Sequence, residues 1–363
     1  MPNAYARLES PEYNIIVRNN SRGIRGPEYS YDRIGKEKRI LAIGDSFAVG
    51  YTVAFEATFG QVAERMLNTQ SKQKYTVIAM GAEAYSTDQE LLYFLEEGQK
   101  YSPDITVLMF FFNDVWFNNQ PVGGAEYGSK PLFRLDGKNL ILAQKPNSMT
   151  TTSVAGAESN RPKRVIKERS KSPNGVKGWL LSHSRLFRLF WQAVNEGFIS
   201  GKIQLRSMWL SDSLFDSLRV FRTSYDDDIQ AAWTLTEALI VEFSNEVQRR
   251  RGRFILFHVP ERASIYEDEW NRAKAHHRWN DEDWRSDQVE IELRRICAAH
   301  SLDCIFSTGE FRERARSISP GRLYLVNDFH WGPEGHYLAG RLLAEHIQKN
   351  VDSERRFRSG ISE

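Results

Sequence analysis

Cysteine is nearly absent from this chain: 363 residues hold two, Cys297 and Cys304. Two are too few for a disulfide framework or a Cys-rich zinc site, and their spacing leaves open whether they pair. No stretch approaches the roughly 20 apolar residues that a membrane helix needs. The first nine residues, Met-Pro-Asn-Ala-Tyr-Ala-Arg-Leu-Glu, lack the apolar core of a signal peptide. The chain therefore reads as cytoplasmic by default, or as an exported or anchored protein with its N-terminal segment removed, and nothing in it requires membrane contact. Charge of one sign is also scarce. A net charge of +2 argues against a general nucleic-acid binder. The remainder is an ordinary globular composition, 41% hydrophobic and 26% charged. It is enough for a large core in one enlarged domain or one domain with a sizeable insertion.

The chain is organised around Arg39-Ile-Leu-Ala-Ile-Gly-Asp-Ser-Phe47. Ile40 to Ile43 read as a strand buried on both faces, stopping at Gly44-Asp45-Ser46. Thr58-Phe-Gly-Gln61 has capping-box spacing for a helix through Leu67. Tyr75 to Met80 reads as a second strand ending at Gly81. Ser86-Thr-Asp-Gln-Glu90 caps a helix to about Lys100, and Ile105 to Phe112 is the strongest strand, ending at Asn113-Asp114. The connections are short enough for βαβ units.

From Val115 to about Tyr225 the alternation stops. Phe133 to Leu142 resembles a hairpin turning at Asp136-Gly137. The stretch 147–160 is rich in small polar residues, with a mobile segment expected near 147–177. Residues 161–177 carry seven Lys/Arg against one Glu. A helical pattern resumes over 178–198. After Asp226 the rhythm returns with a long amphipathic helix to Arg249, strand Phe254–Val259, a helix from Asp281 to about His300, and strand Asp303–Phe306. Pro333 then opens a last helix with its stripe at Leu338, Leu342, Leu343 and Ile347. The expected architecture is a three-layer α/β/α sandwich on a five-stranded, mainly parallel sheet. Residues 38–114 and 226–350 form that domain and 1–37 a lead-in packed on the core. An insertion or cap occupies 115–225, and 351–363 is a tail.

A serine delivered to the carboxyl end of a parallel strand sits where open α/β sheets place their chemistry. Acyl transfer to it needs a base, a group that orients the base, and donors for the oxyanion. Asp328 and His330, two apart in a segment expected to be extended, point to the same side. Gly81 and Asn113 end the neighbouring strands, where a close backbone N–H and a neutral amide join the Ser46 N–H as a three-donor oxyanion hole.

Gly44-Asp45-Ser46-Phe47, Gly81, Asn113-Asp114 and Asp328-Phe-His330 follow the order of blocks in the SGNH (GDSL-type) hydrolase family, which the chain resembles. Residue by residue, the resemblance implies Ser46 as nucleophile, Gly81 and Asn113 as oxyanion donors, His330 as base and Asp328 as its orienter. It also implies a flavodoxin-like sheet and chemistry that needs no cofactor. Arg18 to Gly26 and Ala84 to Glu90 are similar to flanking segments in a bacterial branch of the family. Asp-x-His-Trp stands where many members have Asp-x-x-His, and resembles the branch related to alginate O-acetylation proteins. The third block reads Phe-Phe-Asn-Asp rather than Gly-x-Asn-Asp.

The implied function is a serine esterase acting on short acyl esters, such as O-acetyl groups on a carbohydrate. The alternatives are an O-acyltransferase using the same residues and a non-catalytic glycan-binding protein on a retained hydrolase fold. The expected partner is a small-molecule or carbohydrate ester. Trp116, Phe117 and Trp331 flank the site as candidates to line it, with ordinary packing as the competing reading. Asp45 reads as a turn residue, His336 as packing or capping, and His258 as a core histidine. Adjacent His276 and His277 diverge on a helix and carry no zinc-motif spacing, so no metal is expected.

Overall fold

The computed structural model describes residues 2–33, 35–121, 130–137, 139–144, 215–319 and 321–359. The chain opens with an antiparallel hairpin of β1 (Tyr5–Glu9) and β2 (Asn14–Arg18). β2 falls on the apolar alternation from Tyr13 to Val17, whereas β1 has no comparable apolar pattern.

The central sheet is built from β3 (Lys38–Gly44), β4 (Tyr75–Gly81), β5 (Ile105–Phe110), β8 (Arg253–His258) and β9 (Asp303–Phe306). Its order is β4-β3-β5-β8-β9, and every pairing is parallel. β6 (Leu132–Asp136) and β7 (Asn139–Gln144) form a separate hairpin, with Gly137 at φ +60° in the turn. In the central strands, Ile40 to Ile43 and Val107 to Phe110 have no exposure, as continuous apolar runs covered on both faces require.

The order places the second sheet strand on one side of β3 and the third on the other. The point where the strand order reverses, at which such sheets bind ligands, therefore lies at the carboxyl ends of β3 and β5. Gly44 is in register with Gly81 on one side and Met109 on the other. Three candidate site positions are thus gathered at one edge by strand pairing alone.

Helix α1 (Ser46–Val49) follows β3 directly, and α2 (Phe59–Gln70) packs against the final helix, Pro333–Ser359. A Cβ on Gly340 would lie 2.5 Å from the Phe59 carbonyl, so the two helices approach at a distance that only glycine permits there. Helices α3 (Thr87–Glu96) and α4 (Asn113–Asn118) pack on the Asp227–Arg249 helix. Asp226 caps that long helix by accepting from the Ile229 N–H at 3.1 Å.

Several local expectations are corrected. Thr58 precedes α2 but donates its hydroxyl to the Phe55 carbonyl at 2.7 Å and caps nothing. The helix expected from Asp281 begins at Gln288. Before it, Asn280 and Asp283 bond each other through side chain and backbone, a local turn that competes with helix. Helices Glu267–His277 and Thr308–Ser317 occupy stretches for which no element was expected. The final helix continues to Ser359, through most of the stretch read as a tail. The small-polar segment, the basic run 161–177 and the helical pattern over 178–198 lie outside the described residues. On either side of them, Leu132, Phe133, Leu218, Val220 and Phe221 are buried, and Phe221 packs on Phe112 with ring centroids 5.1 Å apart.

Cys297 and Cys304 are joined by a disulfide between the Gln288–Ala299 helix and β9. No helix among the described residues is long and apolar enough to cross a membrane.

Candidate active site

Ser46 stands at the first position of a one-turn helix, where the preceding strand leaves the sheet. Asp45 makes that turn: its Oδ1 accepts the Phe47 N–H at 2.8 Å, as an N-cap does. Burial pushes the Asp45 carboxyl up to about 6, against the opposing pull of that N–H. Gly50, at φ +64°, stops the helix after one turn. The carbonyls left there are taken by Arg25 from the lead-in segment, which donates to Val49, Gly50 and Val53 at 3.2, 2.5 and 2.7 Å. Sequence reasoning marked this segment by resemblance alone and did not identify Arg25 as the brace beneath the serine turn.

His330 Nε2 lies 2.6 Å from Ser46 Oγ, and His330 Nδ1 lies 2.5 Å from Asp328 Oδ1. Both Ser46 and His330 are nearly enclosed, at 5% and 6% exposure. The segment carrying Asp328 and His330 is bent rather than extended. Asp328 Oδ1 also accepts the His330 backbone N–H at 3.0 Å, and Leu325 N–H donates to His330 O at 3.0 Å. The two-residue spacing thus works through a side-chain-closed bend and not through same-side alternation. Burial opposes ionisation of Asp328, but the imidazole and its hydrogen bonds outweigh it and hold the carboxyl below its ordinary range.

Aromatic rings fix the imidazole plane. Phe47, Phe329 and Tyr51 have centroids 4.9, 4.2 and 4.9 Å from it, Tyr51 edge-on. The Tyr51 hydroxyl is 2.9 Å from His330 Nδ1 and 3.5 Å from Asp328 Oδ2. Sequence reasoning missed Tyr51, although its place just past the Gly50 turn was the available signal.

Gly81 ends β4 beside the serine turn. A Cβ there would meet the Gly44 and Asp45 carbonyls at 2.6 and 2.7 Å, so the residue is glycine because two backbones close on each other. Asn113 opens α4 past the end of β5. Phe111, two residues earlier, packs on Phe47 at 4.8 Å. The Asn113 Oδ1 is enclosed without a partner.

Beneath Asn113 lies a buried acidic group. Asp88, Glu90 and Asp114 have no exposure. Thr87 donates to Asp114 Oδ2 at 3.1 Å, and Lys130, two residues before β6, pairs with Asp88. Lys130 also donates to the Phe117 carbonyl at 3.0 Å, and Asn118 bridges the Asp88 N–H and Thr236. Helix α4, and Asn113 with it, is thereby tied to α3 and to the long helix. Burial raises Asp88, Glu90 and Asp114 above the usual carboxylate range, and for Glu90 the Asp114 charge adds repulsion.

Of the candidate lining residues, Trp331 is corrected. It has no exposure and packs among Phe47, Phe311, Phe59 and Phe257 at 5.0 to 6.4 Å, so it supports the site from the core. Trp116 and Phe117 are half-buried on α4, with the Arg219 guanidinium 5.6 Å from the Trp116 ring. His336 is buried, 3.3 Å from the Thr52 hydroxyl, and burial lowers it to about 3. His258 is likewise buried and lowered to about 4. Among the described residues no group of three or more His, Cys, Asp or Glu side chains is arranged to hold a metal ion.

No family model matches the chain, and no curated protein matches it. Among solved structures it is similar to a catalytic mutant of an acetylxylan esterase from Geobacillus stearothermophilus, at 12% identity over 86% of this chain and 95% of that one, TM-score 0.43. It is also similar to an alpha/beta hydrolase from the metagenome of Lake Arreo, Spain, at 11% identity over 87% and 96%, TM-score 0.43. A lipase/acylhydrolase from Enterococcus faecalis matches at 12% identity over 86% and 96%, TM-score 0.40.

Proposed function

We propose that the chain is a serine esterase of SGNH (GDSL) type, acting through an acyl-enzyme on Ser46. The observation that carries this reading is the continuous line from Ser46 Oγ to His330 Nε2, at 2.6 Å, and from His330 Nδ1 to Asp328 Oδ1, at 2.5 Å. A hydroxyl, an imidazole and a carboxylate joined in that order are the parts of an activated nucleophile.

In the reaction, Ser46 Oγ bonds to the ester carbonyl carbon as its proton passes to His330 Nε2. Asp328 holds the Nδ1–H tautomer and stabilises the imidazolium. The developing oxyanion rests on the Ser46 and Gly81 N–H groups and the Asn113 amide. His330 returns the proton to the leaving alcohol as the ester C–O bond breaks. Water, deprotonated by the same imidazole, then releases the acid and restores Ser46. Short acyl groups, such as O-acetyl on a carbohydrate, are the substrate class that the Asp-x-His-Trp resemblance supports.

The test is a panel of chromogenic esters of increasing chain length, run on the wild-type chain and on Ser46→Ala. Turnover highest on acetyl esters, falling on the order of 10⁶-fold in the variant, supports the reading. Equal rates from the two proteins, or no labelling of the wild type by a serine-reactive fluorophosphonate, overturn it.

A further inference from the structure

The loop that carries Asp328 is closed at its base by backbone bonds, Leu325 N–H to His330 O at 3.0 Å and Gly332 N–H to Leu323 O at 2.9 Å, and its outer peptide groups are held by side chains. The Val326 and Asn327 N–H groups both donate to the Glu12 carboxylate, the Asn327 bond at 2.8 Å. The Leu325 and Val326 carbonyls accept from Arg262 Nη1 at 2.6 and 2.8 Å. Apolar packing does not hold the loop at Val326, whose side chain is 52% exposed. The Val326 and Asn327 amides lie outside those backbone bonds, and Glu12 supplies their acceptor.

Glu12 belongs to the turn between β1 and β2, 314 residues before Val326. That turn is itself ordered: Ser10 Oγ accepts both the Glu12 and Tyr13 N–H groups at 3.1 Å, and Ser10 N–H donates to Tyr13 O at 2.8 Å. The next residue makes a second connection. The Tyr13 ring packs edge-on against Tyr51 at 6.3 Å, and the Tyr51 hydroxyl lies 2.9 Å from His330 Nδ1. Two adjacent residues of the hairpin tip therefore reach the acid–base pair by separate routes, one through the loop backbone and one through a ring.

We propose that the β1–β2 hairpin is a clamp that positions Asp328 and His330 against Ser46, with Glu12 as its positioning residue. The proposal rests on the esterase reading. Two charge-assisted bonds to consecutive amides set the loop's height above the sheet edge, and a misplacement of about 1 Å at a reacting group costs up to ~10²-fold in rate. Because Glu12 is near the surface, its loss changes overall stability little. Its effect is concentrated on the order of the loop.

The test compares Glu12→Ala and Glu12→Gln with the wild-type full chain, by steady-state hydrolysis of an acetyl ester and by amide hydrogen exchange at Val326 and Asn327. In Glu12→Ala both amides should exchange at least ~10-fold faster, and kcat should fall ~10- to 100-fold with KM unchanged. Glu12→Gln keeps a neutral acceptor and should fall between. Unchanged exchange overturns the clamp, and so does faster exchange with kcat unaltered. A raised KM at constant kcat would make Glu12 a substrate contact and overturn its positioning role. Wild-type turnover that survives in Ser46→Ala overturns the esterase reading separately, whereas the exchange rates judge Glu12's hold on the loop independently of any activity.

Discussion

Asp328 and Asp114 are both aspartates in the blocks that gather at the carboxyl edge of the sheet, yet they ionise in opposite senses. Asp328 is held below its ordinary range although burial works against it, because His330 and its hydrogen bonds face the carboxylate. Asp114 is held well above that range by burial, reinforced by the neighbouring Asp45 charge, and a single threonine hydroxyl does not offset this. Asp88, in the same group, has Lys130 against it and is still raised. Burial is shared by both regions. The upper carboxylate faces an imidazole and accepts its hydrogen bonds, whereas the lower carboxyls crowd one another and share one lysine. The same burial therefore ends in a lowered carboxyl above and raised ones below.

The strongest challenge to this contrast is Asp328→Asn. If the upper carboxylate orients and stabilises the imidazole, kcat should fall about 10⁴-fold, read on an acetyl ester. A loss under tenfold would put Asp328 in the same structural role as Asp114. Next in size is Asn113→Ala, which removes one oxyanion donor and should cost on the order of 10²–10³ in turnover. Residual activity equal to that of Ser46→Ala would count against the assigned roles.

Smallest is Glu90→Gln, which should leave kcat within about twofold and change stability with pH. Glu90 has no exposure and its folded-state pKa is raised well above the ordinary value. Between the unfolded pKa of about 4.3 and the folded one, the native chain binds a proton that the unfolded chain has lost. Wild-type stability therefore declines as pH rises through that window. The amide does not ionise, so the thermal midpoint of Glu90→Gln should gain on wild type from pH 5 to pH 8. A difference that does not vary with pH would show that Glu90 is ionised in the fold.

The buried histidines act in the opposite direction. His258 and His336 are lowered to about 4 and about 3, so acidification below about 6.5 protonates them in the unfolded chain first. Asp45, Asp114 and Glu261 are raised and pull the other way over the same range, so the two rings are best read one by one. The imidazole NMR shifts of His258 and His336 should stay those of the neutral form down to about pH 5, and a protonated ring in the folded chain above that pH would contradict neutral burial.

Much of the frame was legible because burial on both faces of a parallel strand leaves an uninterrupted apolar run. Ile40 to Ile43, Tyr75 to Met80 and Asp303 to Phe306 all became strands, the run read as Ile105 to Phe112 stops as a strand at Phe110, and the candidate residues stand just past the first and third of the sheet strands, at the end of the second, or in the bend before the last helix. Periodicity failed where local polar chemistry decides. The Asn280–Asp283 turn delayed a helix, and Thr58 turned its hydroxyl back to Phe55. Trp331 was misread because an aromatic beside a candidate base looks the same in sequence whether it faces a cleft or the core.

By itself the sequence determined the order of the five sheet strands along the chain and the residue types at the sheet edge, since both follow from apolar run length and short polar blocks. Tertiary structure alone decided which side of β3 each neighbour takes, that Arg25 and Glu12 reach across to the two halves of the site, and which carboxyls are raised or lowered from their usual range. Those outcomes depend on distances between residues far apart along the chain and on the solvent each group loses, and neither quantity is encoded in local pattern.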